Sequence, residues 1–253
     1  MKRKPLILIT NDDGIDAAGI RHLRRALDRL GETVVFAPKS EKSGASHSFS
    51  LRKPLEVVWR DTRTVSVDGT PTDCVMLAVR GLMPRRPDLV VSGINHGPNL
   101  GDDVTYSGTV AGAIEGTLLG IPSLAVSSVD WTKPKFTAAA AVAARVAAMV
   151  LRRGLPRNTL LNVNVPSVAP GAIKGYRVTR LGKRIYRDVI VEKRAPDGRK
   201  YFMIDGADPD WEREAGTDFA AIERGLVSIT PFHLDWTNHR AIEGLKRWER
   251  CLS

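Results

Sequence analysis

Cysteine is scarce in this chain, and its scarcity narrows the reading. Cys74 and Cys251 are the only two in 253 residues. They lie far apart and fit no Cys-x-x-Cys spacing, so neither a disulfide framework nor a thiolate metal site is expected, and the reducing cytoplasm is the expected setting. Long apolar runs are missing as well. The apolar run behind the basic start ends at Thr10, too short for a signal-peptide core. The most apolar stretch, Phe136 to Val150, carries Arg145 and falls short of the roughly 20 residues a membrane span needs; it reads as a buried amphipathic helix. There is no Gly-x-Gly-x-x-Gly fingerprint and no Gly-Lys-Ser/Thr phosphate loop, which argues against a dinucleotide oxidoreductase or a P-loop ATPase. Internal repeats and low-complexity segments are also lacking.

Charge is abundant, with a net of +10, which favours anionic partners such as phosphates, nucleotides or nucleic acid. Its distribution is uneven. Lys174 to Lys200 holds ten lysines and arginines against three carboxylates, whereas Asp205 to Glu223 holds seven carboxylates and one arginine. Neighbouring blocks of opposite sign suggest pairing within or between chains.

The first two-thirds alternates strand-like and helix-like runs. Strands are expected at Leu6 to Thr10, Thr33 to Ala37, Thr64 to Val67, Asp88 to Ser92, Ile121 to Ser127 and Thr159 to Val165. Helices are expected at Ala17 to Leu30, where Ile20, Leu23 and Leu27 share a face, at Thr72 to Arg80, at Thr109 to Leu119 and at Phe136 to Leu151. Gly31 is read as the helix stop, a residue tolerant of positive φ. This alternation implies an α/β fold with a doubly wound, mostly parallel, Rossmann-like sheet. Lys183 to Arg194 and Lys200 to Ile204, joined by Pro196-Asp197-Gly198, read as an extended C-terminal β-hairpin arm too poor in core to stand alone. Leu226 to Thr230 reads as a returning strand and His239 to Arg250 as a terminal helix. The expected organisation is a catalytic core over 1–170, an oligomerisation arm over 171–224, and a strand and helix over 225–253 that complete the fold.

Three polar clusters follow three predicted strands: Asn11-Asp12-Asp13-Gly14, Ser40 to Ser46, and Gly93-Ile94-Asn95. In open α/β sheets ligands bind beyond the carboxyl ends of the strands, so distant clusters can converge there. Asp12 and Asp13 are adjacent carboxylates whose mutual repulsion a divalent cation relieves. With a serine hydroxyl and an asparagine carbonyl they form an all-oxygen set suited to Mg²⁺ or Mn²⁺ more than to zinc. Taken alone, Asn-Asp-Asp-Gly is more readily a helix-capping turn than a metal site; the other two clusters reverse that preference. Ser107-Gly108-Thr109 precedes a helix rich in small residues, and a helix N-terminus with hydroxyl donors suits a phosphate, although Ser107 also suits simple capping. Gly112 and Gly116, four apart, suggest close helix–sheet packing. Gly93 to Gly108 reads as one long functional loop carrying Asn95, His96, Asn99, Asp102 and Asp103.

With these residues in view, the sequence resembles the survival protein SurE family of 5′/3′-nucleotidases. The resemblance rests on ILITNDDGIDAAGI at 7–20, VVFAPKSEKSGASHS at 34–48, VDGTPTDCV at 67–75 and LVVSGINHGPNLGDDVTYSGTVAGAIEG at 89–116, with a weaker match in ITPFHLDWT at 229–237. It implies a divalent-metal phosphomonoesterase acting on nucleoside 5′- and 3′-monophosphates, with short polyphosphate as a further substrate of some relatives. By motif position it implies one divalent ion per subunit held by Asp12, Asp13, Ser43 and Asn95, with Asp12 and Asp13 catalytic and Asn99, Ser107, Gly108 and Thr109 around the phosphate. It also implies a homodimer or homotetramer built through the C-terminal arm, with no membrane and no obligate nucleic acid as partner. The rival reading is a single-stranded nucleic-acid-binding protein using the basic stretch, where Tyr176 and Tyr186 would stack on bases. Among the histidines, His47, His96 and His233 are candidates for substrate contact, and Trp131 and Trp236 for nucleoside contact.

Overall fold

The computed structural model describes residues 3–185, 188–206 and 210–252; Tyr186 lies outside them. In chain order its elements are β1 (Leu6–Thr10), α1 (Ala18–Leu27), β2 (Glu32–Pro38), β3 (Val57–Asp61), β4 (Thr64–Val67), α2 (Pro71–Leu77), β5 (Leu89–His96), α3 (Gly108–Leu118), β6 (Ser123–Ser128), α4 (Phe136–Arg153) and β7 (Thr159–Val165). There follow β8 (Tyr176–Val178), β9 (Arg184–Ile185), β10 (Asp188–Arg194), β11 (Lys200–Gly206), β12 (Asp210–Trp211), α5 (Asp218–Glu223), β13 (Val227–His233), α6 (His239–Leu245) and α7 (Glu249–Leu252).

Among the described residues, one nine-stranded sheet runs in the order β3-β4-β2-β1-β5-β6-β7-β13-β8. From β4 to β7 neighbours pair in parallel. The exceptions are β3 against β4 and β13 against β7, which are antiparallel. β1 shows why its sequence is apolar without alternation. Ile7 and Ile9 enter one core with α1 and α4, while Leu6 and Leu8 enter the other with α2. A parallel strand covered on both faces has no solvent side to leave polar. No helix among the described residues is long and apolar enough to cross a membrane, and α4 packs its alanines and valines into the core as the sequence implies.

Several expectations shift in detail. α1 ends at Leu27, and Gly31 is not a positive-φ residue. It is small because a Cβ there would lie 2.9 Å from Pro5 Cγ. β5 runs four residues beyond Ser92, so Asn95 and His96 sit within the strand rather than after it. Gly93 to Gly108 is therefore not one loop: it is strand, then turn, then a 3₁₀ segment over Gly101–Thr105. The terminal helix is divided into α6 and α7 by a 3₁₀ turn over Lys246–Trp248. Gly112 and Gly116 do serve packing: a Cβ on Gly112 would meet Thr10 Cγ2 at 2.8 Å and one on Gly116 would meet Val90 Cγ2 at 2.8 Å, so α3 lies close on β1 and β5.

β10 and β11 form the expected hairpin, with Ile190 opposite Ile204 and Glu192 opposite Phe202. Val189, Ile190, Phe202 and Ile204 are all exposed on it. The oppositely charged blocks meet in part within the chain, where Arg180 pairs with Glu214, and Lys183 Nζ lies 3.9 Å from Glu212 Oε1.

Candidate active site

β2, β1 and β5 are adjacent and parallel, so their carboxyl ends stand side by side and bring three separate clusters to one edge. Asp12 is buried just past β1. Its carboxylate accepts a hydrogen bond from the Thr109 hydroxyl at the start of α3. A Cβ on Gly108 would come within 2.8 Å of Asp12 Cβ and 2.9 Å of its Oδ2, so only glycine lets α3 approach this closely. Ser107 caps the helix, its Oγ accepting from the Val110 N–H at 3.0 Å. Ser107 thus does what simple capping demands, while Thr109 faces the acid.

Asp13 is half-buried, and its Oδ2 accepts from the His96 N–H at 3.3 Å, beside Asn95. Asn95 Nδ2 donates to the Gly97 carbonyl at 2.9 Å, which leaves its Oδ1 without a hydrogen bond among the described residues. Burial pushes the Asp12 carboxyl up. Burial and the neighbouring Asp12 charge raise that of Asp13 to about 6. Neither acid has an ion-pair partner among the described residues. Two desolvated carboxylates without a countercharge, beside an open amide oxygen, fit a hard divalent cation. Among the described residues no three His, Cys, Asp or Glu side chains gather as a metal cluster.

The loop after β2 docks on the same edge. Lys42 N–H donates to the Asp12 carbonyl at 2.7 Å, and Ser46 bonds the Thr105 and Tyr106 carbonyls at 2.7 and 3.1 Å. Ser43 rides on this loop, exposed, with its hydroxyl donated to Glu41 Oε1 at 2.7 Å. Glu41 escaped the sequence reading, yet its charge raises both Asp12 and Asp13.

Asn99 makes no hydrogen bond to Asp12, Asp13 or Ser107 among the described residues. It is buried, its Nδ2 donating to Ser127 Oγ at 2.7 Å, its N–H donating to Asn164 Oδ1 at 2.9 Å, and its carbonyl accepting from Asn162 and Asn164, each at 2.8 Å. Asn162 and Asn164 were not singled out in the sequence, although two asparagines at period two in the apolar strand Leu-Leu-Asn-Val-Asn-Val are a legible signal of a buried polar face. Asp103 pairs with Arg184 at 2.6 Å, whereas Asp102 is exposed on the 3₁₀ segment. His22 is half-buried, its Nδ1 2.9 Å from the Ala18 carbonyl. His96 Nε2 bonds the Trp131 carbonyl at 2.6 Å, and the Trp131 ring covers Gly97.

From Ser107 a cleft of about 730 Å³ opens between α3 and the end of β13, walled by His47, Ile114, Phe232, His233 and Trp236. Its volume falls in the range of small-molecule sites, about 300–1,000 Å³.

Known proteins carry the same arrangement of sequence and fold. A family model described as "Survival protein SurE" matches residues 7–188. The 5′-nucleotidase SurE of Pelobacter propionicus is 51% identical over 243 residues, covering 96% of this chain and 98% of that protein. The 5′-nucleotidase SurE of Chloroflexus aggregans is 48% identical, covering 96% and 98%. The crystal structure of the SurE protein from Aquifex aeolicus superposes with a TM-score of 0.88 at 45% identity, covering 97% of this chain and all of that one. A match of this extent in both sequence and fold leaves one conclusion: the chain belongs to the survival protein SurE family.

Proposed function

We propose that this protein is a divalent-metal-dependent phosphomonoesterase that hydrolyses nucleoside 5′- and 3′-monophosphates to nucleoside and phosphate. The observation that carries the reading is the meeting of Asp12 with Thr109 and Gly108: a buried carboxylate, with a second acid next to it in sequence, stands against the N-terminus of α3. The activity of the similar proteins, 5′-nucleotidase, points the same way.

In this reading Asp12, Asp13, Ser43 and Asn95 hold one Mg²⁺ or Mn²⁺ per subunit. Ser43 would have to give up its hydrogen bond to Glu41 to join them. When bound, the cation supplies Lewis-acid neutralisation of phosphoryl charge. Thr109 anchors Asp12, so the acid keeps its place whether or not substrate is present. Ser107, Gly108 and Thr109 lie around the phosphoryl group at the helix N-terminus, where the Gly108 N–H and the Ser107 hydroxyl donate to its oxygens as charge shifts in the transition state. Asp13, with one hydrogen bond and a half-exposed carboxylate, orients the attacking water and accepts its proton. Asn99, held in place by Asn162 and Asn164, completes the surroundings of the phosphate in this reading. Short polyphosphate presents the same terminal phosphoryl group and belongs to the same substrate class.

The exposed apolar residues of β10 and β11 support assembly into a homodimer or homotetramer through this arm. The cytoplasm is the proposed location. Phosphate release from AMP and GMP with Mn²⁺ or Mg²⁺, abolished by EDTA, tests the reading. Release that is absent with both metals, or unaffected by EDTA, overturns it.

A further inference from the structure

Hydrolysis of an alkyl phosphate leaves an alkoxide, a poor leaving group that needs a proton. The structure offers three histidines near the site, and they are not equivalent. His96 commits Nε2 to the Trp131 carbonyl on the Asp13 side. His233 is exposed at the end of β13, with no hydrogen bond among the described residues to aim it. His47 differs from both. Its Nε2 lies 2.9 Å from Oε2 of Glu115, a carboxylate that α3 buries at 5% exposure. Its backbone follows Ser46, which is fastened to the Thr105 and Tyr106 carbonyls immediately before Ser107. His47 and Ser107 wall the same cleft, and Nδ1 of His47 makes no hydrogen bond with any described residue. A buried carboxylate bonded to one ring nitrogen fixes the tautomer and direction of the other.

We propose that His47, oriented by Glu115, protonates the ester oxygen of the departing nucleoside, which leaves through this cleft; the proposal rests on the phosphomonoesterase reading above. The phosphorus–oxygen ester bond breaks, its electron pair stays on the nucleoside oxygen, and the Nδ1 proton of the imidazolium becomes the new hydroxyl hydrogen. Water supplies the oxygen that bonds phosphorus and gives its proton to the aspartate pair. His47 regains a proton from solvent through the open cleft. Glu115 is a positioning residue.

The test compares two esters with Mn²⁺ present: AMP, which leaves as an alkoxide, and p-nitrophenyl phosphate, whose phenolate needs no proton. His47→Gln keeps a donor toward Glu115 and should lower kcat on AMP about 100-fold, a typical worth of a general acid, while p-nitrophenyl phosphate falls by only a few-fold. Glu115→Gln should show the same split, smaller. Parallel losses on both esters, or an undiminished AMP rate, overturn the assignment. Should His47→Gln not fold, the wild-type protein decides it. Rates across alkyl and aryl phosphates should then depend weakly on leaving-group basicity, and a steep dependence overturns the proposal. Wild-type protein inactive on both esters defeats the phosphomonoesterase reading instead.

Discussion

The α-carbon of Gly108 lies against the Asp12 carboxylate, so near that a Cβ would stand 2.8 Å from Asp12 Cβ and 2.9 Å from Oδ2. The acid and the helix N-terminus are thus one unit, although they lie far apart in sequence. Gly108→Ala must push Asp12 or α3 aside. A misplacement of about 1 Å near reacting groups costs about 100-fold in rate, so Gly108→Ala should lose at least that much phosphate release from AMP. A circular-dichroism melt should still show a folded protein. Wild-type turnover in the alanine variant would disprove the close-approach account.

Asp12→Asn removes charge with little change in volume. Turnover should fall to background while the fold persists, because the hydroxyl of Thr109 can still meet an amide oxygen at this position. Near-wild-type turnover in Asp12→Asn would remove the carboxylate from the chemistry.

Asp13 gives a pH signature with a definite sign. Its carboxyl is raised from the ordinary 3.8 to about 6 in the folded, metal-free protein. A raised acid favours the folded state below pH 3.8 and loses that contribution as pH climbs through about 6. Ionised Asp13 therefore strains the metal-free fold at pH 8, by up to about 3 kcal/mol. In EDTA, Asp13→Asn should be more stable than wild type at pH 8, with the gap closing as pH falls from about 6 toward 4. Urea unfolding at the two pH values measures it. Added Mn²⁺ should restore the wild type and not the variant. A variant less stable than wild type at pH 8 in EDTA contradicts the sign.

Asn164 both donates to and accepts from the backbone of Asn99. Asn164→Ala leaves buried backbone groups short of partners, which costs about 1–3 kcal/mol. The melting temperature should drop and AMP turnover with it, since the segment leading to Ser107 loses its anchor. An unchanged melting temperature would show that Asn162 alone suffices.

The hairpin arm makes a prediction about mass. Ile204 is 79% exposed and Phe202 is 63% exposed, more apolar surface than a lone hairpin carries without a partner. Sedimentation should give a dimer or tetramer for the wild type and a shift toward monomer for Ile204→Asp. A wild-type monomer at every salt concentration would refute assembly through the arm.

The sequence alone determined the strand–helix alternation. The runs from Leu6, Thr64 and Thr159 and the helix face of Ile20, Leu23 and Leu27 are local patterns: short runs of strand-forming residues in the first case and a period of 3.6 in the second. It also marked Asp12, Asp13 and the Ser107 cluster, since adjacent carboxylates and small polar residues before a helix are chemically unusual wherever they fall. Tertiary structure decided the rest, because the rest is distance. That β5 continues to His96 is settled by its neighbour β6, which pairs with Gly93, Asn95 and His96. The role of Gly31 depends on Pro5 across the chain, and that of Gly108 on Asp12. Glu115 carries no local mark at all, and Asn162 and Asn164 mark a buried polar face without showing a function. They gained one only when folding buried their polar groups against His47 and Asn99, where a polar atom without water must find a partner.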